Sequence, residues 1–300
     1  MSTPAQTAAW PADEVVAAMR AGTPASAELV NHYYTLCIPF YREFLGEHWH
    51  TGFYLPRGQT GPQDQLRMER LIAQSAGLVE GCEVLDVGCG IGGTACHLAL
   101  TTGATFRGLT PNPTQLAIAR DAAGRRRLER RVAFDLGEAG RLPYADGSFD
   151  VVTFFESACH FQDRGRFFSE AWRVLRPGGR LAGEDWLECE GMQAAQRVPW
   201  IDRVCSTWAI PSLGTVTGYA AGMSGAGFDE VLARDMREEM DVSRGFIAQP
   251  EDRRSVAREM QQTQDPIRRM IMEGLLALGE AVQVGAFTIG RFVARKPLPP

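Results

Sequence analysis

Between Cys82 and Glu188 short apolar runs alternate with longer stretches of helical spacing. The runs read CEVLDVG, ATFRGLT, RVAFDLG, FDVVTFFES and PGGRLAGEDWLE. Helical patterns separate them, through Leu100, from about Pro113 to Arg127, and in RGRFFSEAWRVL. A strand followed by a helix and then another strand is the unit from which parallel sheets are built, because parallel neighbours need a long crossover. Repeated units of this kind predict a parallel sheet covered by helices on both faces.

The flanks are organised differently. Residues 1–62 form an N-terminal helical and aromatic cover segment. The first dozen residues are frayed, a short helix runs to about Arg20, and 26–45 is an aromatic-rich helix broken at Pro39. GEHWHTGFYLPRGQTGP, 46–62, is a loop closed by Gly and Pro. Residues 63–300 form the main domain, interrupted at about 189–224 by inserted helices that read as a lid. A helical stretch from Glu251 to Gly285 breaks near Pro266, and AFTIGRFVARKP closes the chain as a strand. A length of 300 residues suits one large α/β domain with an insertion.

The first strand runs directly into LDVGCGIGG. Glycine costs backbone entropy, so this density of it needs a reason. Gly88 and Gly90 let the chain turn tightly, and Gly92 or Gly93 lets a ligand or the sheet approach the start of the next helix. Unpaired amides at that helix start face the ligand. The spacing fits a dinucleotide fingerprint only loosely. The acid which that fingerprint places at the end of the second strand is absent, and Thr110 stands there.

VLDVGCGIGGTACHLA resembles the first motif of class I S-adenosylmethionine-dependent methyltransferases. GLTPNPTQLAIAR, LGEAGRLPYADGSFDVV, FFESACHF and RVLRPGGRL resemble the later motifs of that family, in order. The resemblance covers roughly residues 60–190. It implies a Rossmann-like class I methyltransferase fold: a mostly parallel seven-stranded sheet with helices on both faces, an N-terminal helical cover and an inserted lid. It implies S-adenosylmethionine as cofactor, held by Asp86, Gly88, Cys89, Gly90, Thr110, Gln115, Gly137, Glu138 and Glu156. In that family the matching acid lies near the methionine ammonium; Asp86 would order the glycine-loop amides, with a strand-end carboxylate capping the helix as the plainer alternative. The acid that usually contacts the ribose hydroxyls is Thr110 here, so Thr110 and Gln115 would have to share that contact, and Glu138 stands where an Asp usually meets the adenine amino group. FYREFLGEHWHTGFY with FFESACHF is similar to segments of sterol, tocopherol and prenyl-diphosphate methyltransferases. The reading is transfer of a methyl group to a small molecule, first to a carbon of an isoprenoid-type metabolite, alternatively to an oxygen or nitrogen of another natural product. A nucleotide-dependent oxidoreductase and a non-catalytic binding module are the remaining alternatives.

Glu156 follows the apolar run VVTFF at a strand's carboxyl end, where open α/β folds bind ligands. A carboxyl in such surroundings has a raised pKa and serves as a base or as a hydrogen-bond partner. His160 is the second catalytic candidate. Tyr41, Trp49, Phe53, Trp200 and Trp208 are the candidates for the acceptor pocket, where aromatic faces suit a sulfonium or a carbocation. His48 and His50 have no third ligand at metal spacing, so no metal site is expected. A net charge of −5 argues against nucleic acid. Seven scattered cysteines without a CxxC pair read as reduced, and no secretory signal or membrane span stands out, so a cytoplasmic location is expected. The sequence leaves homo-oligomerisation open.

Overall fold

A computed structural model describes residues 10–21, 24–55, 62–246 and 250–299. The expected fraying of 1–9 and the tip of the 46–62 loop, 56–61, lie outside the described residues. The chain begins with α1 (Ala12–Arg20), α2 (Ala27–Phe44) and α3 (Pro62–Ala76). Then come β1 (Glu83–Val87), α4 (Gly93–Thr102), β2 (Thr105–Thr110), α5 (Pro113–Arg125), β3 (Val132–Leu136), β4 (Phe149–Phe155), α6 (Arg164–Val174) and β5 (Leu175–Glu188). The last third holds α7 (Ala194–Thr207), α8 (Val216–Gly225), β6 (Asp229–Asp235), α9 (Pro250–Gln262), α10 (Pro266–Gln283) and β7 (Phe287–Arg295).

The strands form one sheet in the order β3-β2-β1-β4-β5-β7-β6. The first five are parallel, and β7 inserts antiparallel between β5 and β6. Side chains alternate across the sheet, so neighbouring apolar residues enter different cores. Val84, Phe155, Ala182 and Trp186 join the core under α2, α3 and α10. Leu85, Phe154, Leu181 and Leu187 join the one under α6 and α8. This explains why the strand sequences are nearly continuous runs of apolar residues.

One expectation needs correction. α2 does not break at Pro39 but runs unbroken from Ala27 to Phe44. A proline inside a helix costs about 3 kcal/mol. Here Tyr33, Cys37, Phe40 and Tyr41 are buried on the helix's inner face, while Pro39 is exposed. The packing of that face outweighs the lost hydrogen bond.

Candidate active site

A cavity of about 430 Å³ opens at the carboxyl ends of β1, β2 and β4. Its floor is the glycine loop. The amides of Gly88 and Cys89 both donate to the Leu109 carbonyl, at 2.8 and 3.0 Å, which folds the loop back onto β2. Gly88 has a φ of +80°, and a Cβ there would stand 2.3 Å from the Ser157 Cβ. Only glycine meets both conditions. Gly90 faces the cavity itself.

At the end of β2 the Thr110 hydroxyl donates to Gln115 Oε1 at 2.8 Å, so the two residues expected to share one contact stand together on the wall. Asn112 caps α5 with its side-chain oxygen and donates from Nδ2 to the Asn31 carbonyl and the Thr35 hydroxyl of α2. That pins α2 over the cavity, where Val30, Asn31 and Tyr34 line it. Gly137 and Glu138 follow β3 on the same wall.

Residues 47–51 complete the cover, with alternate residues facing opposite ways. The Glu47 carbonyl packs so close to α4 that a Cβ on Gly93 would lie 1.9 Å from its oxygen. His48 and His50 turn to the buried Glu69 carboxylate of α3. Trp49 turns the other way and lines the cavity beside Gly90. The Thr51 amide donates to Glu156 Oε1 at 2.8 Å.

Glu156 takes up a left-handed backbone, φ +44°, at the end of β4. Its side chain reaches the cavity, with protein on its other sides. Burial pushes its pKa up to about 7, against the pull of the Thr51 hydrogen bond and the nearby His50 charge. Close by, Glu184 is fully buried with neither carboxyl oxygen bonded, and burial, Glu156 and Asp185 push it well above the carboxylate range. His160 also lines the cavity. Its Nδ1 faces the Ala209 carbonyl at 3.2 Å and its Nε2 the Tyr34 hydroxyl at 2.8 Å. A carbonyl only accepts, so Nδ1 holds the proton and Nε2 offers a lone pair. Burial lowers this pKa to about 4, leaving the ring neutral at pH 7.

The cavity thus gathers Gly88, Gly90, Thr110, Gln115, Gly137, Glu138, Glu156, His160 and Trp49. Asp86 and Cys89 are not on its wall. The Asp86 carboxyl lies beneath the loop, 2% exposed, accepts from the Thr153 hydroxyl at 3.1 Å, and is pushed up to about 7 by burial. The Leu109 carbonyl, not Asp86, orders the loop amides. Cys89 points its sulfur toward Gly108 and the sheet. Tyr41, Phe53, Trp200 and Trp208 also stay off the wall. Tyr41 bonds Tyr33 and stands edge-on behind Trp49, and Trp208 packs edge-on against Trp186. The 189–224 insertion lies beside the cavity, and reaches it through the Ala209 carbonyl on His160. Asn31 belongs to none of the motifs and went unrecognised; Thr51 lies in FYREFLGEHWHTGFY but was not singled out, because it acts through its backbone amide, which nearly any residue offers. The third group beside His48 and His50, absent from the local spacing, arrives from α3 as Glu69, and His97 of α4 joins its other oxygen.

Residues 85–183 match the family model described as a methyltransferase domain. The chain is 35% identical to Methyltransferase GfsG of Streptomyces halstedii over 70% of its own length and 76% of the relative. It is 31% identical to the chloroplastic tocopherol O-methyltransferase of Arabidopsis thaliana, over 74% and 69%. Against the sterol 24-C-methyltransferase of Pneumocystis carinii the figures are 37%, 54% and 42%. Among solved structures, the [4+2]-cyclase SpnF superposes with a TM-score of 0.77 at 25% identity, covering 92% of this chain and 98% of that one.

Proposed function

We propose an acceptor chemistry from the premise these relatives establish, that the chain belongs to the class I S-adenosylmethionine-dependent methyltransferases. Its cofactor is S-adenosylmethionine, which when bound supplies a methyl group on a positively charged sulfur. The cavity suits that group. Gly90 leaves its floor open, the Thr110–Gln115 pair offers polar atoms to a ribose, and Glu138 offers a carboxylate at the rim. These residues hold the nucleoside in our reading, and Trp49, Tyr34 and Phe155 keep water from the reacting end.

The acceptor in this reading is a small, largely apolar natural product methylated at carbon, as the name of the sterol relative implies for that enzyme. The observation that carries it is Glu156, a carboxyl near neutrality on a wall shared with Phe155, Trp49 and Tyr34. When an alkene carbon gains a methyl group, its π electrons form the new C–C bond while the donor's carbon–sulfur bond breaks with its electron pair staying on sulfur, and the acceptor is left cationic. A neighbouring C–H bond must then give its electron pair back to the carbon skeleton and its proton to a base. Glu156 takes that proton, and the aromatic faces stabilise the cation before it leaves.

His160 supports a second reading. Its Nε2 lone pair faces the same cavity, and it would accept the proton of a hydroxyl acceptor displacing Tyr34. The name of the tocopherol relative points to oxygen. The two readings separate by substitution with labelled cofactor and a panel of isoprenoid, sterol-like and phenolic acceptors. Carbon methylation requires Glu156 and tolerates His160→Gln; oxygen methylation reverses the order. Transfer that survives both substitutions at full rate rejects both assignments.

A further inference from the structure

The side chains of His48, His50 and Glu69 bring one potential ligand atom each to within 4.8 Å of one another. His48 Nδ1 and His50 Nε2 both meet Glu69 Oε1, at 2.6 and 3.0 Å, and His97 Nδ1 meets the second oxygen, Oε2. His50 and Glu69 are buried, while the His48 side chain is 20% exposed. We propose that this cluster is a divalent-metal site of the zinc class, with His48, His50 and Glu69 as ligands and His97 orienting the carboxylate.

The hydrogen-bond geometry around His50 matches that of a ligating ring. Its Nδ1 faces the Thr51 carbonyl at 2.9 Å, which can only accept, so Nδ1 carries a proton. Its Nε2 faces a carboxylate oxygen already engaged by His48. With an ion on Nε2 the ring is neutral, and its remaining N–H rests on a backbone carbonyl, the usual outer-shell partner of a ligating histidine. His97 on Oε2 plays the same part for the carboxylate. Two imidazoles and one carboxylate form a common zinc set, with a fourth position left for water. Zinc bonds of about 2.0–2.1 Å set tetrahedral ligand atoms roughly 3.3 Å apart. The His48–Glu69 and His50–Glu69 gaps therefore open from 2.6 and 3.0 Å by about 0.7 and 0.3 Å, and the larger shift falls on the partly exposed His48.

The ion's place in the fold suggests its use. His48 and His50 flank Trp49, and Glu69 and His97 belong to α3 and α4. α4 starts from the glycine loop. An ion here ties the cover segment to that loop and fixes Trp49 at the cavity wall. The site stands on its own geometry and does not depend on which acceptor is methylated.

The test is metal content in tag-free protein, exposed to a slight excess of Zn²⁺, desalted and measured by plasma mass spectrometry. Wild type is expected to retain zinc in a stoichiometric amount. His48→Ala, checked by circular dichroism for folding, should lose it. His97→Ala keeps all three ligands but removes the outer-shell support, and should weaken zinc affinity about 10–100-fold in a competition with a chromogenic chelator. Wild type that emerges without zinc overturns the proposal. So does unchanged retention in folded His48→Ala, which would place the zinc on cysteines instead.

Discussion

Glu156 combines a strained left-handed backbone with a carboxyl that burial holds near neutrality. Strain of this kind costs about 1–3 kcal/mol and persists where surrounding contacts enforce it; here the Glu156 amide donates to the Glu184 carbonyl at 3.0 Å. Glu156→Gln keeps shape and strain while removing the base. On a carbon acceptor it should lower kcat by about 10²–10⁴-fold with cofactor affinity nearly unchanged. In wild type kcat/KM should climb with pH through about 7, as the carboxyl ionises, and the variant should lose that limb. A wild-type limb retained in Glu156→Gln assigns it to another group. Asp86 makes a prediction about stability. Its pKa is raised from 3.8 to about 7, so the folded chain holds a proton that the unfolded chain releases. The stabilisation is present below about pH 4 and is lost as pH rises through about 7, on the order of 4 kcal/mol across the window. Asp86→Asn still accepts from the Thr153 hydroxyl and should flatten that slope in cofactor-free melting curves, while a slope equal to wild type would rule Asp86 out as its source. Such residues differ in how far the chain discloses them. Thr110 and Gln115 are five positions apart and meet through one turn, so a motif reveals them. Glu69 and His97 reach His48 from separate helices, and no local spacing encodes that meeting.

Elements show the same division. The strands were legible because their apolar runs are buried on both faces, and the order of the first helices follows from the crossovers that parallel strands need. The helix through Pro39 was not legible, since its survival depends on tertiary contacts of Tyr33, Cys37 and Tyr41 that local propensity does not contain. The start of α4 offers a test in which local and tertiary effects have opposite sign. In an exposed helix Gly→Ala stabilises by up to about 1 kcal/mol. At Gly93 the new Cβ would lie 1.9 Å from the Glu47 carbonyl oxygen, a backbone atom that cannot swing aside. Overpacking of this sort costs about 1–3 kcal/mol. Gly93→Ala should therefore lower the midpoint of denaturant unfolding and displace 47–51, weakening cofactor binding through Trp49. A gain in stability would show that the cover segment does not press on α4.

At the scale of the whole molecule, fold and activity are separate questions. A [4+2]-cyclase shares this architecture over nearly its full length, so the sheet order does not establish methyl transfer by itself. Among the described residues no helix is long and apolar enough to cross a membrane. S-adenosylhomocysteine binds only the folded state and must raise stability by mass action, about 2.7 kcal/mol at a concentration one hundred times Kd. For a domain of this size each kcal/mol moves Tm by roughly 2–4 °C, so a shift of about 5–10 °C is expected. NAD should give none, because the β2 end presents the neutral Thr110–Gln115 pair where an acid would meet its ribose. Gly90→Val should abolish the shift, since its side chain projects into the cavity floor. The decisive measurement follows binding. Acceptors incubated with cofactor should gain the mass of one methyl group in a Glu156- or His160-dependent manner. A clear thermal shift, with no mass gain across the acceptor panel but an isomerised product, would move the chain from the methyl-transferring members of its family to those that use the fold for another reaction.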